Sequence, residues 1–375
     1  MPGLLPEVDP EGLLEYSVVY TDRALNHMSL SFQAVMKDIS QTMKEVYSCE
    51  ATVVVPGSGT FAMEAVARQY ANNKKCLVIR NGWFSYRWSQ ILEMGEIPAS
   101  TNVLKARVSH DSTLAAFEPA PLNEVLATIK TEKPDLVFAP HVETSAGMLL
   151  PDDYISAIAS AVHESGGLFV LDCIASGALW VDMQKSGVDI LISAPQKGWS
   201  GSPCCGLVML GKRALDLLPE TSSSSFACDL KKWWQIMQAY ENGGHAYHAT
   251  MPTDGLRRFR DVMFETKSFG FKKAKLAQQA LGEQVRRLLQ EKNIGSVAAE
   301  GFQAPCVVVC YTADADIQNG KKFLSEGLQI AAGVPLQCDE PESFQTFRIG
   351  LFGLDKLQNI ERSVASLQVA LNEIF

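Results

Sequence analysis

Between about Leu30 and Leu210 the chain repeats one pattern. Short apolar runs end in Gly, Pro, Ser or Asp, and amphipathic stretches separate them. The runs are Thr52–Val55 (TVVV), Cys76–Ile79 (CLVI), Asp135–Ala139 (DLVFA), Gly167–Leu171 (GLFVL), Ile190–Ser193 (ILIS) and Gly206–Met209 (GLVM). An apolar run of that length bounded by turn residues reads as a strand buried on both faces. Asp153–Ser165 (DYISAIASAVHES) has helical spacing between two such runs. Strands alternating with helices imply an α/β domain around a mostly parallel sheet.

The texture changes after Asp254. A charged amphipathic stretch over about 255–292 reads as helix, followed by a strand at Cys306–Tyr311 (CVVVCY) and a helix near Lys321–Leu328. A further strand near Phe347–Leu351 and a last helix over about Lys356–Ile374 complete an α+β unit. The organisation expected is an N-terminal arm at 1–25, a large α/β domain at 26–265 and a smaller α+β domain at 266–375, hinged within the long helical stretch.

With 375 residues and 47% apolar content, the chain can bury a large core. Its 17 Phe, 9 Tyr and 6 Trp exclude disorder as the main state. The net charge of −9 argues against a dedicated nucleic-acid binder. No apolar run approaches 18 residues, so no membrane span is expected. MPGLLPEVDP has no basic start and is not expected to act as a secretory signal. Nine scattered Cys without metal-ligand spacing fit a reducing compartment, and a cytoplasmic location is expected.

Four segments carry chemistry. PGSGTFAME (Pro56–Glu64) follows the first strand, and such a turn into a helix presents free amide N–H groups to a phosphate. Taken alone, such a turn is more often a plain tight turn. LDCIAS (Leu171–Ser176) places Asp172 at the end of a buried strand, where open α/β sheets bind ligands; alone, it reads as a turn or capping Asp. ISAPQKGWSGSPCCG (Ile192–Gly206) sets Lys197 in a loop beside apolar strands, where desolvation lowers a lysine's pKa and suits it to covalent catalysis. FRIGLFG (Phe347–Gly353) embeds Arg348 among apolar residues, which suits either a structural ion pair or a clamp for a carboxylate or phosphonate. Together, a phosphate cradle, an acid, a lysine and an arginine, in that order, describe a pyridoxal-phosphate site. Asp172 and Lys197 are 25 residues apart (197 − 172), the length of one strand-to-strand unit.

These motifs resemble class V, fold type I aminotransferases, near the alanine–glyoxylate, serine–pyruvate and 2-aminoethylphosphonate–pyruvate branches. The resemblance runs from about Asn26 to the end. It implies pyridoxal 5'-phosphate as cofactor, with Ser58, Gly59 and Thr60 on its phosphate. Asn81-Gly82-Trp83-Phe84 resembles the segment whose aromatic, here Phe84, stacks on the ring. Glu143–Gly147 (ETSAG) resembles the segment that brings a hydroxyl to the ring oxygen; Ser145 aligns best, with Thr144 beside it. Asp172 would pair with the ring nitrogen and Ile174 would lie under the ring. Gln196-Lys197 matches the family's Gln-Lys pair, which makes Lys197 the lysine that carries the cofactor. Tyr247–Pro252 (YHATMP) resembles a loop that crosses a homodimer, so Tyr247 and Thr250 would reach the neighbouring subunit's phosphate and the active sites would be shared. Arg348 matches the arginine that holds the substrate's acid group.

One departure concerns the N-terminal segment that lines the substrate pocket in relatives. Here it reads Glu15–Arg23 (EYSVVYTDR), which makes Tyr20 and Arg23 candidates for an unusual preference, while Arg23 also reads as an ordinary ion-pair residue. The implied activity transfers an amino group from a small amino acid (alanine- or serine-like, or an aminophosphonate) to a 2-oxo acid such as pyruvate or glyoxylate. A pyridoxal-phosphate lyase on the same scaffold would share every cofactor residue and remains open at this point.

Overall fold

The computed structural model describes residues 7–10, 12–109 and 116–375. Met1–Pro6 and Glu11, part of the expected N-terminal arm, lie outside the described residues.

A seven-stranded sheet forms the centre. Its strands are β1 (Ala51–Pro56), β2 (Lys75–Arg80), β3 (Ser100–Lys105), β4 (Leu136–Pro140), β5 (Leu168–Asp172), β6 (Ile190–Ser193) and β7 (Cys205–Leu210). The order across the sheet is β1-β7-β6-β5-β4-β2-β3. β7 runs antiparallel to both of its neighbours, and the remaining pairs are parallel. All residues of β4 to β7 are buried, which is why their sequences are near-continuous apolar runs. The six runs expected from sequence are all strands here. β3 is an additional one, an edge strand with the polar sequence STNVLK.

Helices cover this sheet. α1 (Leu30–Tyr47) and α6 (Leu230–Glu241) pack on β1, α2 (Gly59–Tyr70) on β7, and α3 (Trp83–Met94) on β2 and β4. α4 (Leu122–Glu132) packs on α5 (Asp152–Glu164), which lies on β5. No helix among the described residues is long and apolar enough to cross a membrane.

The stretch expected as one helix over 255–292 is two: α7 (Thr253–Phe269) and α8 (Phe271–Glu291). They meet at Gly270, whose φ of +100° lies in a region that a side chain disfavours. α7 sends Leu256, Phe259 and Met263 into the large core, whereas α8 sends Leu281, Val285 and Leu289 into a separate one. That second core includes residues of a small antiparallel sheet of β8 (Val307–Tyr311), β9 (Ala331–Ala332) and β10 (Thr346–Gly350), in the order β8-β10-β9. The last helix, α9 (Ile360–Ile374), closes it through Leu367 and Leu371.

Candidate active site

Because β1, β2, β4, β5 and β6 point the same way, their C-terminal ends open on one side of the sheet, where ligands bind in open α/β folds. A cavity of about 220 Å³ lies there. Its walls include Ser58, Gly59, Thr60, Phe84, Asp172, Ile174, Gln196 and Lys197, all of them expected site residues, together with Thr144 and Arg87.

The turn from β1 into α2 forms one wall. Gly57, at φ +123°, lets the chain reverse there, and its N–H donates to the Cys204 carbonyl at 3.0 Å. Ser58 occupies the position that caps α2, yet its side chain makes no capping hydrogen bond. The first amides of a helix have no acceptor within it. The Ser58 hydroxyl and the Gly59 and Thr60 amides therefore stand at the cavity as unspent donors at the positive end of a helix dipole, whereas the Phe61 and Ala62 amides are taken by the Ser58 carbonyl.

Asp172 ends β5 and is 8% exposed. Its Oδ1 accepts the Ile174 amide at 2.9 Å. Burial, reinforced by the nearby Glu143 charge, pushes its carboxyl up to about 6 against the Ile174 bond and the cations Arg87 and Lys197. Lys197 lies in the loop after β6, its Nζ 5.1 Å from the centre of the Phe352 ring. Burial first, and the Arg348 charge second, hold its ammonium below the usual lysine range, while Asp172 opposes them. Both shifts favour the neutral form of the group.

Arg348, on β10, comes from the small sheet. Its Nε donates to the Ala332 carbonyl at 2.8 Å, and its guanidinium carbon lies 5.5 Å from the centre of the Phe84 ring. Among the described residues its two terminal nitrogens have no hydrogen-bond partner, which leaves the fork open for a planar acid.

One expected position sits differently. Thr144, not Ser145, lines the cavity. The Ser145 hydroxyl is turned inward: it donates to Glu143 Oε1 at 2.7 Å and accepts the Trp83 amide at 2.9 Å. Tyr247 and Thr250 do not line the cavity of their own chain. They share a hydrogen bond of 3.1 Å on an exposed loop. Tyr20 donates to the Met251 carbonyl at 3.0 Å and so lies against the same loop, whereas Arg23 lies on an exposed turn.

Two residues are additions. Glu143 is fully buried and accepts from the Phe84, Ser85 and Ser145 amides and from both serine hydroxyls. Arg87 lies three residues beyond Phe84 on α3, a spacing that places both side chains on one helical face.

The family model described as aminotransferase class V matches residues 11–357. The 2-aminoethylphosphonate–pyruvate transaminase of Burkholderia ambifaria is 30% identical over 94% of this chain and 89% of its own length. That of Vibrio cholerae is 27% identical over 88% of this chain and 86% of its own. In fold, the alanine–glyoxylate aminotransferase of Nostoc sp. superposes with a TM-score of 0.77 at 20% identity, covering 92% of this chain and 88% of the other. The chain belongs to the class V aminotransferases and is a pyridoxal-phosphate-dependent enzyme of that family.

Proposed function

We propose that this enzyme moves an amino group from a small amino acid or aminophosphonate to a 2-oxo acid such as pyruvate or glyoxylate, with Lys197 as the residue that carries the cofactor. The observation that supports this most is the convergence of the α2 N-terminus, Asp172 and Lys197 on one cavity. That donor set suits the cofactor: helix amides and hydroxyls for a phosphate, a buried carboxylate for a ring nitrogen, an amine for an aldehyde and Phe84 for a ring face.

When bound, pyridoxal phosphate supplies an electron-poor ring that accepts the electron pair left at the substrate's α-carbon. Ser58, Gly59 and Thr60 bind the phosphate. Asp172 would hold a proton at the ring nitrogen, and Phe84 and Ile174, which both line the cavity, would hold the ring. Thr144, which lines the cavity, takes the hydroxyl role toward the ring oxygen in place of Ser145. Gln196 borders Lys197 at the rim. Arg348 orients the substrate through its two open nitrogens, and a carboxylate or a phosphonate fits that fork equally. Lys197 Nζ, kept toward the neutral amine by burial and by Arg348, would take the proton from the donor's α-carbon and deliver it to the cofactor's C4′ carbon. The acceptor then follows the same steps in reverse, so no oxidant or reductant is needed.

The enzyme works as a homodimer in the cytoplasm. Leu13, Leu14, Tyr16, Val18, Leu30, Phe61 and Phe226 are exposed apolar side chains that a second copy would cover. Tyr247 and Thr250, exposed on their own chain, complete the phosphate site of the second copy. The large unit spans 26–265 and the small one 266–375, with the arm before them. The names of the relatives support an aminophosphonate donor and pyruvate as acceptor.

The test is a screen of alanine, serine and 2-aminoethylphosphonate against pyruvate and glyoxylate. Formation of a new amino acid from the acceptor supports transfer; ammonia release without it contradicts transfer.

A further inference from the structure

Arg87 is a half-buried guanidinium on the cavity wall. Among the described residues no carboxylate pairs with it. Its Nη1 donates to Thr60 Oγ1 at 3.1 Å, and its guanidinium carbon lies 5.4 Å from the centre of the Phe84 ring. A partly desolvated cation that no carboxylate contacts among the described residues, and that feels Asp172 only through space, suits an anion that arrives from outside.

The direction of the bond to Thr60 decides what Arg87 does. A guanidinium has five donors and no acceptor, so the Thr60 oxygen must accept. The one proton of that hydroxyl is then left to point elsewhere, and among the described residues nothing takes it. Thr60 is the second residue of α2, beside the amides that open into the cavity. Donation from a charged group also polarises a hydroxyl and strengthens the next bond in the chain.

We infer that Arg87 is a positioning residue for the cofactor's phosphate, acting through Thr60: it fixes the hydroxyl as a donor aimed at a phosphate oxygen. This rests on the reading of Ser58–Thr60 as the phosphate cradle. Arg348 approaches the same aromatic ring but makes no bond to the cradle, so the two arginines divide the work, Arg87 toward the cofactor and Arg348 toward the substrate.

The experiment titrates the cofactor-free full-length protein with pyridoxal 5'-phosphate and, separately, with pyridoxal, which lacks the phosphate. Wild type, Arg87→Gln, Thr60→Val and the double variant are compared by absorbance. Each single variant is expected to bind pyridoxal phosphate roughly 10- to 100-fold more weakly, the range for one charge-assisted hydrogen bond. The double variant is expected within about threefold of the weaker single one, since residues in one network are not additive. Pyridoxal affinity should stay within about threefold throughout, since no phosphate bond is lost. Arg87→Lys, which keeps the charge and serves if the Gln variant does not fold, should recover part of the preference for the phosphate form. An unchanged preference in Arg87→Gln, with a raised KM for the amino donor, would assign Arg87 to the substrate and overturn the inference. Fully additive losses would overturn the route through Thr60. If Thr60→Val and Ser58→Ala both leave the preference unchanged, the cradle reading itself fails.

Discussion

Glu143 accepts both the amide and the hydroxyl of Ser85, at 2.8 and 2.7 Å, with its carboxylate fully buried. The same carboxylate takes the Phe84 amide at 3.2 Å. It therefore closes the N-terminus of α3, where a negative charge is favoured, and holds the aromatic ring that walls the cavity. Glu143→Gln keeps the shape but turns two amide protons toward a cluster of donors. The expected cost is about 2–4 kcal/mol of stability, the range for unmade bonds to a buried charged group. Urea unfolding with an unchanged slope checks it, and a loss below about 0.5 kcal/mol would refute the role, being no more than an ordinary surface substitution costs.

Asp172 should leave a signature in the cofactor-free protein. Its carboxyl is raised from 3.8 to about 6, chiefly by burial. A raised folded-state pKa means that the stabilising contribution is complete below the unfolded value, near pH 4, and is lost as pH climbs through about 6. The loss amounts to about 3 kcal/mol, from roughly two pKa units at 1.36 kcal/mol each. Wild type should lose stability relative to Asp172→Asn between pH 4 and 7, while the variant's turnover falls by orders of magnitude. Parallel stability curves, or near-normal turnover, would contradict the assignment.

Arg348 lowers the pKa of Lys197 and is the open fork for the substrate. Arg348→Gln should move the pH at which the free protein captures pyridoxal phosphate upward, because the lysine amine loses a repelling neighbour and holds its proton longer. Arg348→Lys keeps the charge but not the paired geometry, so its penalty should fall on kcat/KM in both half-reactions. Stopped-flow traces of capture and of each half-reaction separate the two. Equal losses for amines that lack an acid group would make Arg348 structural.

The shared-site reading makes a mixing experiment decisive. Lys197→Ala and Tyr247→Ala homodimers should each be inactive or nearly so. After partial unfolding and joint refolding, mixed dimers carry one site with both residues intact, and activity should return. No recovery, or an active monomer by light scattering, would contradict it.

Much of this was legible in the sequence for a physical reason. Strands buried on both faces must be apolar throughout, so the six runs stand out, β1 at one edge of the sheet included because α1 and α6 cover it. Ser100–Lys105 does not, because an edge strand is partly exposed and half polar. The break at Gly270 was hidden because amphipathic spacing continues on both sides of it, and only the positive φ reveals it. Asp172, Lys197 and Arg348 stood out as candidates because the proposed chemistry demands those residue types. Arg87 was missed because a charge on a helix usually faces water; its spacing from Phe84 was the available signal. Choosing between Thr144 and Ser145 needed coordinates, since adjacent hydroxyls in a turn point apart and a buried Glu143 captures only one.

The central claim is that Lys197 forms the covalent link to the cofactor. Borohydride reduction of the holoenzyme, followed by proteolysis and mass mapping, tests it directly. The expected result is one reduced pyridoxyl label, on the peptide that contains Lys197, and none in Lys197→Ala. A label on another lysine of the wild-type enzyme would contradict the account.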